Sequence, residues 1–212
     1  MSQTASARLS SVARKLIMGV TGLALIGFVV THLAGNLNFF AGKEAFNKYA
    51  DALHSIPGFP LIELSLAAIF VVHIVTALSL IRDNAKARPQ DYAVQKHQTT
   101  LSARLMPVSG IMVLVFLFVH MATIRARRGA EHMDGPFGIV GDALTHPVWA
   151  PIYVVGSLML IPHLRHGIHS SLRSLGMTQK DTLAKIEKLS LVIAVVVCGG
   201  FASLPLFALM NR

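Results

Sequence analysis

Apolar residues fall into five long runs separated by polar segments. The runs cover about residues 16–38, 61–81, 105–124, 147–170 and 189–210. Each is close to the ~20 residues that a helix needs to cross roughly 30 Å of hydrocarbon. A lipid interior cannot hydrogen-bond the backbone, so only helices or closed barrels span it. These runs are too long and too continuously apolar for barrel strands. The pattern predicts an all-α integral membrane protein with five transmembrane helices in one domain, residues 1–212. Between the first two runs, residues 43–51 have amphipathic spacing and predict a short surface helix, ended by Pro57-Gly58-Phe59-Pro60. Residues 82–104, 125–146 and 173–188 read as loops, with Thr178-Gln179-Lys180-Asp181 as a helix entry. Pro107 falls in the first turn of the third run, where a missing N–H is harmless. Pro162 lies inside the fourth and predicts a kink.

Composition agrees. The chain is 53% hydrophobic and only 14% charged, with a mean hydropathy of +0.59; a soluble domain carries about 25% charged residues. The net charge of +9 would point to nucleic acid in a soluble protein. Here the basic residues lie between the apolar runs, so lipid headgroups, topology and anionic cofactor groups account for them without nucleic acid. Thirteen of the nineteen Lys and Arg fall on the side of the N-terminus, and six on the other. The positive-inside rule then predicts N-in, C-out, with Arg125, Arg127 and Arg128 as the exception. The single cysteine, Cys198, excludes an intrachain disulfide and cysteine-based zinc or iron–sulfur sites. Arg14-Lys15 before an apolar run imitates a signal peptide. The run is too long for one and lacks a cleavage site, so it reads as a retained helix.

Four of the runs carry a histidine: His32, His73, His120 and His163. An imidazole in hydrocarbon is costly and needs a partner or a task. The chain also repeats itself. Met18-Gly19-Val20-Thr21-Gly22-Leu23 matches Met106-Pro107-Val108-Ser109-Gly110-Ile111 at an offset of 88, which also aligns Phe28 with Phe116 and His32 with His120. The second and fourth runs match more weakly at an offset of 90, aligning His73 with His163 and Ala77 with Gly167. The spans thus read as two helical hairpins with one histidine per helix, plus a fifth packing helix that has none.

Topology sorts the histidines by depth: His32 and His120 in the outer half, His73 and His163 in the inner half. Two imidazoles facing each other at one depth, on facing helices of a bundle, suit axial ligation of a haem iron. Two such pairs predict two haems. Small residues must line so wide and flat a group, and Gly22, Gly110, Gly167 and Ala77 are the candidates. Propionates need cations or polar donors: Arg14, Lys15, Arg82, Arg104 and Arg165 at the inner end, Asn36, Asn38 and Arg125 at the outer. On the fourth run His163 is the expected ligand, being deepest and matching His73. His166 and His169 read as interfacial, contacting propionates, headgroups or a partner. A lone histidine in such a helix is often a helix–helix hydrogen bonder, and a chain of them can relay protons; a haem-free proton-conducting transporter stays open.

These residues resemble the di-haem cytochrome b membrane anchor of succinate dehydrogenases and fumarate reductases, the five-helix single-subunit type. The resemblance rests on His32-Leu33-x-Gly35-Asn36, His73, Gly110 with His120, and His163-x-x-His166-Gly167 followed by Leu175-Gly176, in order over nearly the whole chain. It implies two haems b, held by His32 with His120 and by His73 with His163. It implies a FAD-containing flavoprotein subunit and an iron–sulfur subunit on the cytoplasmic face of a bacterial inner membrane. Electrons would pass between that iron–sulfur subunit and a membrane quinone, with menaquinone expected. Succinate or fumarate chemistry would lie on the flavoprotein. A quinone site near the outer haem makes Glu63 a candidate acid–base residue, with Tyr49 and His54 behind it; an ordinary interfacial carboxylate is the competing reading of Glu63. The anchor of a different dehydrogenase, acting on formate or hydrogen, is the alternative within the same cofactor class.

Overall fold

The computed structural model describes residues 10–87, 101–127, 129, 130 and 132–211. Among these, every regular element is helical: α1 (Ser11–Asn36), α2 (Lys43–His54), α3 (Phe59–Ala87), α4 (Leu101–Thr123), α5 (Gly135–Thr145), α6 (Trp149–Ser174) and α7 (Leu183–Met210). Short 3-10 turns at Leu37–Ala41 and Arg125–Arg127 extend α1 and α4. Of the basic residues that set the expected orientation, Arg8, Arg88, Lys96, Arg128 and Arg212 lie outside the described residues.

Local chemistry explains most of the boundaries. Ser10 caps α1 by accepting the Ala13 N–H at 3.1 Å, satisfying one of the orphan donors of the first turn. α6 stops at Leu175-Gly176. Gly176 takes φ +72°, a left-handed conformation open to a residue without a Cβ. The Met177 N–H then reaches the Leu172 carbonyl at 2.9 Å and the Gly176 N–H reaches that of Arg173 at 3.1 Å, which together close the helix end. α3 and α7 run past their apolar runs, since polar residues in the headgroup region continue the helical ladder when nothing breaks it. α4 likewise begins at Leu101, which puts Pro107 inside the helix rather than in its first turn.

The segment 125–146, expected as a loop, contains α5. Its start is fastened from another element. Asn47 of α2 donates to the Asp134 carbonyl at 2.8 Å and accepts the Phe137 N–H at 2.9 Å. A cap supplied from so far along the chain leaves no local sequence signature.

Four helices are long and apolar enough to cross a membrane: α1, α3, α4 and α7. α5 and α6 meet that test only as a pair, bent by 87° at the break between them. The reason is the polar load of α6, which carries His163, Arg165, His166, His169 and Arg173. Large apolar side chains such as Leu61, Leu64, Ile111, Phe118 and Val196 stand exposed on these helices. A belt of that extent suits lipid rather than water.

α1 packs on α3 and on α6, and α6 packs in turn on α4 and α7. Neither α1 with α4 nor α3 with α6 is a closely packed pair among the described residues. Leu33, Leu164, Ile168, Ala194, Val197 and Cys198 form one buried cluster between α1, α6 and α7. A second cluster closes the end where α1 finishes, gathering Phe39, Phe46, Val140, Leu144, Tyr153 and Leu204 from α2, α5, α6, α7 and the first 3-10 turn.

Candidate metal centres

Each of the four histidines comes from a different helix: His32 on α1, His73 on α3, His120 on α4 and His163 on α6. The fold brings them together in twos. The His32 and His120 ring centres are 5.8 Å apart, and those of His73 and His163 are 6.5 Å apart. Both pairs bridge helices that do not pack directly on each other, so each faces a gap rather than a sealed seam. The pairs lie at different levels. Thr21 of α1 touches His73, and from Thr21 to His32 the helix rises about 16 Å.

Three of the rings are held through Nδ1. Thr21 Oγ1 lies 3.2 Å from His73 Nδ1, Ser109 Oγ lies 3.5 Å from His163 Nδ1, and the Tyr153 hydroxyl lies 3.3 Å from His120 Nδ1. Tyr153 in turn meets Thr123 Oγ1 at 2.7 Å. His32 is held by rings, stacking on Phe28 at 5.2 Å and lying 5.7 Å from Phe201. Asn36 Nδ2 lies 3.4 Å from both nitrogens of the His32 ring and donates to the His32 carbonyl at 2.8 Å.

This donor set fits a flat, axially ligated metal group. An iron held between two imidazoles separates their ring centres by roughly 6 Å, two bonds of about 2 Å plus part of each ring. Nδ1 is engaged on three of the four histidines, which leaves Nε2 for a metal. Among the described residues no cluster of three or more His, Cys, Asp or Glu side chains gathers; the donors come in pairs.

The expected small residues divide by level. A Cβ on Gly22 would lie 3.7 Å from His73 Cε1, and one on Gly110 would lie 3.6 Å from His163 Cε1. Both glycines therefore belong to the His73–His163 pair, although each shares a helix with a histidine of the other pair. A Cβ on Gly167 would meet nothing within 4 Å, so that position opens on free space. At the His32–His120 level, Gly156 makes room for the Phe116 ring, which lies 6.2 Å from His120.

Of the expected cations, Arg14 is half-buried, pairs with Asp83 and donates to Ser79 Oγ at 2.7 Å. Its buried Nε has no hydrogen-bond partner among the described residues, an orphan donor that an anionic group would satisfy. Arg82 is exposed and Arg165 half-buried. Arg104 lies on α4, with its side chain outside the described part. At the other end Glu63 accepts from Arg125 Nη2 at 3.0 Å, tying α3 to the end of α4. His54 packs edge-on to Phe59 at 5.2 Å, and Tyr49 crowds against Gly35. His169 is largely buried, its Nε2 lying 3.9 Å from Glu187 Oε1 without a hydrogen bond.

Thr21, Ser109, Thr123, Tyr153, Asp83 and Gly156 carry no role in the sequence reading. The repeat held the signal for two of them, because Thr21-Gly22 aligns with Ser109-Gly110. Tyr153 and Gly156 have no repeat counterpart of like chemistry, and only their neighbours reveal them.

No family model matches the chain, and no solved structure matches it. A curated protein does. Over 164 residues the chain is 27% identical to the succinate dehydrogenase cytochrome b558 subunit of Bacillus subtilis (strain 168), a match covering 76% of this chain and 77% of that one. The resemblance is to a succinate dehydrogenase cytochrome b. It bears out the family likeness read from the histidine and glycine motifs. The likeness and the apolar helices together describe a membrane protein of electron transport.

Proposed function

We propose that this chain is the membrane-anchor and electron-transfer subunit of a succinate:quinone oxidoreductase, a succinate dehydrogenase or fumarate reductase. The observation that carries the reading is the pair of histidine pairs: four imidazoles from four helices, meeting in twos at two levels across unpacked faces. His32 with His120 and His73 with His163 would hold two haems b. A bound haem b supplies a one-electron carrier at each level. The chain would supply the rest: the imidazole nitrogens that hold the group, an apolar surround, and charges at the ends. Gly22 and Gly110 leave space beside the His73 and His163 rings, and Gly167 opens on free space. Arg14, with its orphan Nε, is the best-placed propionate partner, with Arg82, Arg104 and Arg165 as the further cations of that end.

The chain crosses the bacterial inner membrane five times, N-in and C-out, with the α5–α6 pair as the fourth crossing. The His73–His163 level then faces the cytoplasm, where the iron–sulfur subunit and its FAD-containing flavoprotein would dock. The His32–His120 level lies toward the outer face, the side assigned to a membrane quinone, menaquinone in our reading. Glu63 stands at that end and is the group we assign to proton exchange with the quinone. The likeness to a succinate dehydrogenase subunit favours this complex over a formate or hydrogen dehydrogenase.

A reduced-minus-oxidised spectrum of the purified complex tests the proposal. Two haems b are expected, and His73→Ala should remove one while the other persists. A chain without a haem b band is a transporter or proton conductor instead, and a His73→Ala protein that keeps both haems has its ligands elsewhere. Co-purification of a flavoprotein separates succinate chemistry from that of another dehydrogenase.

A further inference from the structure

The two hydroxyls on the His73–His163 pair occupy the same place in the repeat. Thr21 and Ser109 are 88 residues apart in sequence, each followed by glycine, each on the first helix of its hairpin. Each reaches the histidine on the second helix of that same hairpin: Thr21 to His73 Nδ1, Ser109 to His163 Nδ1. The following glycine lies against Cε1 of the same ring in both cases. The internal repeat thus duplicates a hydroxyl–glycine seat for a histidine as well as the histidines themselves.

Each of these hydroxyls also lies within reach of a carbonyl of its own helix, and that contact gives its proton a destination other than the ring. A hydroxyl has one proton to give, and a backbone carbonyl can only accept. Thr21 Oγ1 gives its proton to the Ile17 carbonyl at 2.8 Å, and Ser109 Oγ gives its proton to that of Met106 at 3.2 Å. Each hydroxyl oxygen is then left as an acceptor facing Nδ1. With the hydroxyl proton given to the carbonyl, Nδ1 carries the hydrogen and the bare lone pair sits on Nε2. That is the tautomer an axial ligand needs. Ser109 is 3% exposed, so water does not compete for the role.

We infer that Thr21 and Ser109 are positioning residues that lock His73 and His163 in the Nδ1–H tautomer, present both Nε2 atoms to one metal centre, and set that centre's potential apart from the other's. The inference rests on the bis-histidine haem reading above. An oxygen acceptor on Nδ1–H makes the imidazole a stronger donor to the metal, which favours the oxidised state. The His32–His120 level is built differently. There Thr123 gives its proton to the Val119 carbonyl at 2.8 Å and accepts from Tyr153, whose oxygen then faces His120 Nδ1; His32 makes its polar contact with Asn36.

The test is a redox titration of the intact complex, carrying Thr21→Val, Ser109→Ala, or both. Thr21→Val keeps the branched shape and removes only the hydroxyl. One of the two haem b midpoint potentials should rise, the other should stay, and haem release from the altered level should quicken by about 10-fold. Thr21→Ser restores the acceptor and should return the potential to its original value. Potentials that stay put in all three variants, with both haems retained, overturn the inference and leave the bis-histidine reading intact. Equal shifts of both haems also overturn it, since the seat would then not be specific to one level. Loss of one haem from Thr21→Val but not from Thr21→Ser supports it. A wild-type complex without haem overturns both.

Discussion

At the scale of single residues, the partner of each functional group decides what that group can do. Glu63 illustrates this. A carboxylate at the start of a membrane helix is either a tie to a neighbouring cation or a proton-exchanging group, and here Arg125 Nη2 sits 3.0 Å from Oε2. That contact accounts for an interfacial tie by itself. The same contact is compatible with proton exchange, since an arginine fixes the orientation of the carboxylate it holds. Glu63→Gln separates the two roles because the amide keeps the shape and an acceptor for Arg125 while losing the titratable proton. Quinone reduction should slow by about 100-fold, the usual order for a lost acid–base group, while both haem bands persist. An unchanged rate would make the residue a structural tie alone. Arg14 shows the same logic in reverse: two of its polar contacts are met by Asp83 and Ser79, and the unmet Nε marks where a further anion belongs.

At the scale of elements, α2 and α5 form a cap over the end where α1 finishes. The cap is fastened by Asn47 and by the ion pair of Lys43 with Asp134, 2.6 Å between Nζ and Oδ1. The Lys43 hydrogen bond and charge hold the Asp134 carboxyl below its ordinary 3.8. The sign of the linkage follows. Between the folded and ordinary values the unfolded chain takes up a proton that the folded chain does not. The pair therefore contributes above the ordinary value and stops contributing as pH falls through the folded one. Both side chains are about half exposed, so solvent keeps the contribution small. Lys43→Met should melt slightly below the parent protein at pH 6, and the difference should shrink as pH falls below 3.8. Equal melting temperatures at pH 6 would remove the pair from the stability of the cap. Only half of this cap is legible in the sequence. The amphipathic spacing of residues 43–51 announced α2, but α5 sits in a segment rich in Gly and Asp whose helix start is capped from 90 residues away.

At the scale of the whole molecule, orientation in the membrane determines which histidine pair meets which partner. The charge count predicts the N-terminus inside, and Arg125 and Arg127 near the end of α4 oppose that prediction. Met133, between α4 and α5, is 96% exposed, whereas the native cysteine, Cys198, is buried. A Met133→Cys chain offers one accessible thiol on the side opposite the N-terminus. In right-side-out vesicles it should react with a membrane-impermeant maleimide, and the parent chain should not. Labelling only after the vesicles are opened would invert the topology and exchange the roles of the two levels.

Some of this architecture needs only the chain. Helical spans follow from hydropathy, because lipid forbids unpaired backbone and the length of an apolar run is a local property. The four histidines and their division by depth follow from position along those spans. Gly176 marks a helix end because only its own backbone is involved. Other features arise only when distant segments meet. The direct α1–α6 contact, the gaps that α1–α4 and α3–α6 leave, and the bend of 87° before α6 depend on how helices pack, which hydropathy does not encode. Gly22 and Gly110 were expected to serve a site, but packing places them against the histidines of the neighbouring helices. The same holds for Thr21, Ser109 and Tyr153. Hydroxyls in apolar helices usually bond back to their own carbonyls, and it takes the tertiary structure to bring a ring nitrogen within reach of the oxygen that remains.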